Sequence, residues 1–189
     1  MERVFRTFGL PRSILSDNGA PFASTGLGHL SRLSMWWMRL GIGIQRIMPG
    51  NPQQNGAHER MHKTLKAQTT RPPAFDSMRQ QRKFDDFVRE FNDERPHEAH
   101  NQRRPTTLYT PSSRPYPERI PRIEYDGHME TRIVTDAGMI KWKKHIIFAS
   151  HTLSRQKLGF EEVDDGIWSV YFGTVLLARF DERERRFYG

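Results

Sequence analysis

Hydrophobic positions follow one pattern before a proline-rich stretch at residues 103–121 and another after it. Before it, apolar residues recur at helical spacing. Val4, Phe5 and Phe8 fall on one side of a helix closed by Gly9, with Pro11 just beyond the stop. Leu30, Leu33, Trp37 and Leu40 predict a helix over 27–40 that ends at Gly41. Ala57, Met61 and Leu65 recur every four residues, and Phe84, Phe87, Val88 and Phe91 form a further stripe over 84–92. Two short runs, 13–16 and 42–47, read as strands between these helices and predict an α/β layer. After Pro121 come short β-like segments at 131–135, 139–142, 145–148, 166–172, 174–180 and 185–188. Short strands separated by Gly-containing turns predict a small β-barrel.

The change of pattern divides the chain into an α/β portion over 1–100, a linker or surface-hugging strap over 101–125, and a basic β portion over 126–189. Lysine and arginine number 30 against 22 acids, giving a net charge of +8. Such a surface attracts polyanions and suits nucleic acid. Trp36 and Trp37 could stack on bases, but aromatics at helical spacing read first as core. Cysteine is absent, which excludes a disulfide framework and a thiolate metal site. No apolar run approaches the roughly 18 residues of a membrane span, and none resembles a signal peptide. The expectation is a cytoplasmic protein with no membrane partner. Hydrophobic content of 35% predicts a modest core or long exposed connections.

Candidate chemistry lies after the two predicted strands. Asp17 follows the first, and strand C-terminal ends are where α/β layers place ligand groups. Aspartate before Asn-Gly is also a common turn residue. After the second strand, Asn51-Pro52 and Asn55-Gly56 mark a loop that opens a helix. Glu59, His62, Lys63 and Lys66 share one face of that helix. A carboxylate with lysines one and two turns on suits a divalent cation beside a phosphodiester. The plainer reading is a Glu59–Lys63 ion pair worth about 0.2–0.5 kcal/mol. In a strand–helix–strand–helix layer, Asp17 and Glu59 can meet at one sheet edge. His58-Glu59-Arg60-Met61-His62 spells the zinc-peptidase signature H-E-x-x-H, but Arg60, Lys63 and Lys66 argue against a buried zinc helix. In the β portion, Lys141, Lys143, Lys144, Arg155 and Lys157 form a basic cluster. It reads either as a DNA contact or as a solvated edge that discourages aggregation.

Taken together, Ser16-Asp17-Asn18-Gly19 through Phe22, Asn51 through Gly56, and His58 through Lys66 resemble the second and third catalytic blocks of a DDE integrase or transposase. The Leu33–Gly41 stretch, Arg95-Pro96-His97-Glu98-Ala99 and Tyr109-Thr110-Pro111-Ser112 resemble bacterial insertion-sequence transposases related to retroviral integrases. The resemblance is close over about 1–120 and looser beyond. It implies an α/β fold: an incomplete RNase H-like integrase core followed by a small SH3-like β-barrel. It assigns Asp17 and Glu59, 41 residues apart in between, as catalytic metal ligands. Asn18 is then the companion of the aspartate, Asn55 part of a mobile loop, and Lys63 and Lys66 the grip on a transposon end. Lys141, Lys143 and Lys144 would add DNA contacts. The implied cofactor is Mg²⁺ or Mn²⁺, which oxygen ligands suit better than Zn²⁺. Two such ions drive an in-line displacement. The implied partners are transposon-end and target DNA, with either a homo-oligomer or a full-length transposase. The implied location is the bacterial cytoplasm, at the nucleoid when on DNA.

The departure from the family matters equally. The family uses three acids, the first on a central strand well ahead of the second. Here 16 residues precede Asp17 and their only acid is Glu2, on a predicted helix, while Asp76, Asp85 and Asp86 come too late. The resemblance therefore implies a C-terminal portion without the first carboxylate, the first three strands or a helix-turn-helix. Inactivity alone, a loosely packed N-terminal half and an open sheet edge follow as expectations. The alternatives are a non-catalytic DNA-binding or regulatory fragment that pairs with a full-length transposase, and a basic nucleic-acid-binding barrel beside an unrelated helical domain.

Overall fold

A computed structural model describes residues 1–17, 19–24, 26–48 and 56–189. The fold is mixed α/β. α1 (Glu2–Phe8) leads to β1 (Ser13–Ser16), and a 3₁₀ turn at Leu27–His29 precedes α2 (Arg32–Arg39). β2 (Gly43–Arg46), α3 (Gly56–Thr69) and α4 (Ser77–Arg89) follow, and α4 runs on into a π-turn at Glu90–Glu94. The later strands are β3 (Glu130–Ile133), β4 (Met139–Trp142), β5 (His145–Phe148), β6 (Lys157–Asp164), β7 (Ile167–Phe172), β8 (Val175–Asp181) and β9 (Arg186–Tyr188). β1 and β2 pair in parallel from Ser13↔Gly43 to Ser16↔Arg46. The sheet β3-β6-β7-β8-β9 is antiparallel, and β4 and β5 form a separate hairpin. Among the described residues β1 has no neighbour on its other edge.

Two elements differ most from the pattern reading. The helix expected over 27–40 is split, because Ser31 starts α2 afresh. Its hydroxyl accepts the Ser34 N–H (3.1 Å), and the Ser34 hydroxyl accepts the Ser31 N–H (2.7 Å), a reciprocal cap with serine in place of the usual Glu. The upstream turn lies so close to β8 that a side chain at Gly28 (φ 62°) would stand 2.7 Å from the Leu177 Cδ2. The second difference is β6, which the pattern did not show. Gly159 interrupts its apolar run and Glu161-Glu162 ends it. Glycine is required there because the Tyr125 ring lies against its Cα, where a Cβ would overlap the ring. The Tyr125 hydroxyl donates to the Lys157 carbonyl (2.7 Å) and accepts the Gly173 N–H (3.2 Å), fastening the chain ahead of β3 to the sheet.

Two apolar clusters hold the fold. Phe5, Leu10, Trp37, Leu40 and Ile42 are buried in one, with Phe22 stacked on Trp37 at 5.9 Å. In the other, Leu30 and Met35 join the sheet residues, so packing runs from α2 into the β portion. At its centre the Trp142 ring lies 4.9–5.0 Å from those of Phe160, Trp168 and Phe180. α3 and α4 pack chiefly on each other and bury little: Thr69 on α3 and Phe87 on α4.

The proline-rich stretch hugs the α/β portion. The Arg114 guanidinium donates to the carbonyls of Pro11 (2.9 Å), Leu40 (3.0 Å) and Gly41 (2.8 Å). The Leu10 N–H donates to the Arg114 carbonyl (2.7 Å), and the Ser112 hydroxyl donates to the Leu10 carbonyl (2.6 Å). Arg6 stacks over the Tyr116 ring at 4.6 Å.

Candidate functional site

Asp17 stands at the C-terminal end of β1 and is exposed. Its Oδ1 accepts the Gly19 N–H at 3.0 Å, the local turn that aspartate favours before Asn-Gly. Ser16 beside it is buried, and its hydroxyl has no partner among the described residues. Glu59 lies in the first turn of α3, the helix reached from the C-terminal end of β2, and is also exposed. It makes no ion pair within 4 Å among the described residues, so the plain Glu59–Lys63 pair is not formed. Lys63 and Lys66 are exposed on the same helix. Asn18, Asn55 and the rest of residues 49–55, where the sequence predicts a loop, lie outside the described residues.

The donors can be tested against a divalent cation. Carboxylate oxygens from Asp17 and Glu59 fit a hard ion in kind. They fall short in number, since no group of three His, Asp or Glu side chains able to hold a metal gathers among the described residues. One Asp17 oxygen is also already engaged. His58 and His62 lie with ring centroids 4.2 Å apart and planes tilted by 52°, but on an exposed helix face and without a third ligand among the described residues. That does not meet the needs of a zinc-peptidase centre.

The basic hairpin β4–β5 presents Lys141 along a strand and Lys143-Lys144 at its tip, all exposed. Lys143 is bound to the Glu182 carboxylate (2.8 Å), whose other oxygen accepts the Trp142 indole N–H (3.2 Å). The Lys143 bond holds the Glu182 carboxyl below its ordinary range, and the same bond raises the Lys143 amine. Lys141 and Lys144 have no acidic partner among the described residues. Motif reading left Arg32 and Arg39 unassigned. Their spacing of seven, two turns along α2, was the available signal.

Residues 40–105 match the protein-family model described as Integrase core domain. The match takes in β2, α3 and α4, and with them Glu59, Lys63 and Lys66, while Asp17 lies ahead of it. The Gag-Pol polyprotein of baboon endogenous virus (strain M7) is 38% identical over 71 residues, 38% of this chain and 4% of that polyprotein. The Pol polyprotein of feline endogenous virus ECE1 is 38% identical over 71 residues, 38% of this chain and 6% of its own length. The chain thus spans a small part of the curated relatives it matches. Among solved structures it is similar to a chain in the cryoEM structure of the simian T-cell lymphotropic virus intasome in complex with PP2A regulatory subunit B56 gamma. The TM-score is 0.46 with 19% identity, covering 93% of this chain and 60% of that one.

Proposed function

We propose that the chain is a member of the DDE integrase and transposase family, as its similarity to the integrase core over residues 40–105 supports, and that it holds DNA for integration or transposition without completing phosphoryl transfer by its own residues. Integrase-core homology supports a function in DNA integration or transposition. The α/β portion is an incomplete RNase H-like core, and the sheet and hairpin after it are its SH3-like DNA-binding partner. Asp17 and Glu59 are two of the three acids that the chemistry needs. Lys63 and Lys66, one and two turns beyond Glu59, hold strand phosphates, and Lys141 and Lys144 add charge from the hairpin. A Mg²⁺ or Mn²⁺ ion held by Asp17 and Glu59 would supply charge neutralisation beside a bound DNA strand. The observation that best supports this reading is the placement of the two acids: Asp17 at the end of β1, and Glu59 in the first turn of the helix that follows its parallel partner β2.

The test incubates the chain with labelled duplex DNA and Mg²⁺ or Mn²⁺. Salt-sensitive binding without nicking or strand transfer is the expected result. Metal-dependent cleavage that Asp17→Asn and Glu59→Gln abolish would overturn the inactivity. Calorimetric titration with Mn²⁺ adds a readout apart from activity: weak binding, weaker still in either variant.

A second reading, self-association or pairing with a full-length transposase, is favoured by an apolar cleft between α1 and α4. It has a volume of about 700 Å³ and is lined by Val4, Phe8, Val88 and Tyr109. These side chains are 46–53% exposed. Light scattering on the purified chain checks it: a monomer at all concentrations rules out self-association.

A further inference from the structure

A second cationic feature lies away from both the acids and the hairpin lysines. A cleft of about 450 Å³ opens between α2 and the loop ahead of β6. Arg32 and Arg39 stand on its helical wall with Met35 and Trp36 between them. Two helical turns separate the two guanidinium stems by roughly 10.5 Å along the axis. That is about three nucleotides of one strand at roughly 3.4 Å each. Neither arginine has an acidic partner among the described residues.

The facing wall carries Arg155, Thr152 and Ser154. Arg155 has a left-handed backbone (φ 63°), unusual for a residue with a side chain. Its N–H donates to the Val134 carbonyl (2.9 Å), which holds that conformation. Its guanidinium grips Asp136 through two bonds, Nε to Oδ1 (2.6 Å) and Nη2 to Oδ2 (3.0 Å). Asp136 is the acid in the cleft lining, and Arg155 matches its charge, so Arg32 and Arg39 leave the cleft positive. Thr152 and Ser154 add hydroxyls of the kind that bind phosphate oxygens. Trp36, half-buried and stacked on Phe5 at 5.4 Å, supplies a fixed aromatic surface on the floor. Paired cations beside an immobile ring match the sugar-phosphate and base surfaces of a nucleic-acid strand better than those of a bare oxyanion.

We infer that this cleft binds the backbone of a nucleic-acid strand, as a separate contact from the lysines of α3 and the hairpin. The inference rests on the nucleic-acid-holding function above and deepens it. Asp136 lies in the turn ahead of β4, the strand that carries Lys141.

Fluorescence anisotropy with labelled duplex and single-stranded DNA across a salt series tests this on the full chain. Arg32→Glu/Arg39→Glu is expected to weaken binding about tenfold or more and to lower the slope of log affinity against log salt by about two. Arg32→Ala and Arg39→Ala should each lower it by about one, and Arg32→Lys/Arg39→Lys should keep it. Thermal midpoints of the variants report their folding, and the single alanine variants carry the test if the double reversal does not fold. Unchanged affinity and slope in these variants, with a loss in Lys141→Glu/Lys144→Glu, would overturn the cleft and leave the DNA-holding function standing. No DNA binding by the unaltered chain would overturn both. Calorimetry with inorganic phosphate gives the remaining arm: saturable binding as tight as that of DNA assigns a small-anion site and overturns the inference.

Discussion

Arg114 contributes more to the α/β portion than its place in a proline-rich stretch suggests. Its guanidinium joins the carbonyls that follow α1 and those that end α2. Arg114→Ala is expected to destabilise by about 2–3 kcal/mol, seen as a lower urea midpoint at constant slope. Lysine should not rescue it, because an ammonium lacks the planar fork. Gly159→Ala should cost about 1–3 kcal/mol by pressing a methyl into the Tyr125 ring, and adding Tyr125→Ala should give a non-additive cycle. Glu182 and Lys143 set a pH window. Glu182 is held below its ordinary 4.5, chiefly by Lys143 and then by the Trp142 indole, so its stabilisation is present above that value and lost as pH falls through the folded one. Lys143 is raised above 10.5 by the same bond, so its share is present below that value and lost as pH rises through the raised one. Glu182→Gln should therefore flatten the acid limb of a thermal-midpoint-against-pH curve, modestly because the lysine end is exposed. The placement of Asp17 after a strand and of Glu59, Lys63 and Lys66 on one helix was legible from short motifs. The Arg114 clamp was not, since its acceptors are backbone carbonyls distant in sequence and leave no side-chain pattern.

Among the elements, those bounded by strong punctuation were legible. The hairpin strands 139–142 and 145–148 agree with β4 and β5, because alternating burial flanks a two-residue turn at Lys143-Lys144. The split of the 27–40 helix was hidden because Leu30 keeps helical spacing while Ser31 takes extended backbone. The helix expected over 84–92 begins earlier, at Ser77, where the Asp76 carboxylate accepts the Arg79 N–H (2.7 Å). The residues that lengthen it are polar apart from Met78, so they leave no apolar stripe. Packing divides unevenly: Trp37 and its neighbours are closely covered, while Phe75 beside α4 is 93% exposed. Amides of α3 and α4 should accordingly exchange hydrogen well before those of β6, β7 and β8, as mass spectrometry of timed deuterium labelling can check.

For the whole molecule, the change of pattern at the proline-rich stretch was readable, but the packing across it was not. Leu30 and Met35 are buried together with sheet residues such as Phe160 and Phe180, a match set by shape and not by sequence spacing. Leu30→Ala is expected to lose about 2–5 kcal/mol and to shift far-ultraviolet circular dichroism and tryptophan fluorescence together. The Ser112 and Arg114 bonds bear on how the chain reaches this state. They join residues 102 and 103 positions apart, so the ends of α1 and α2 acquire their partners late. Closing a loop of that length costs about 4 kcal/mol of chain entropy, plus a constant, before the contacts repay it. During synthesis, a ribosome must release the 102 positions from Leu10 to Ser112 before the end of α1 can be secured, leaving Phe5 and Leu10, both buried in the fold, open to chaperones in the interval.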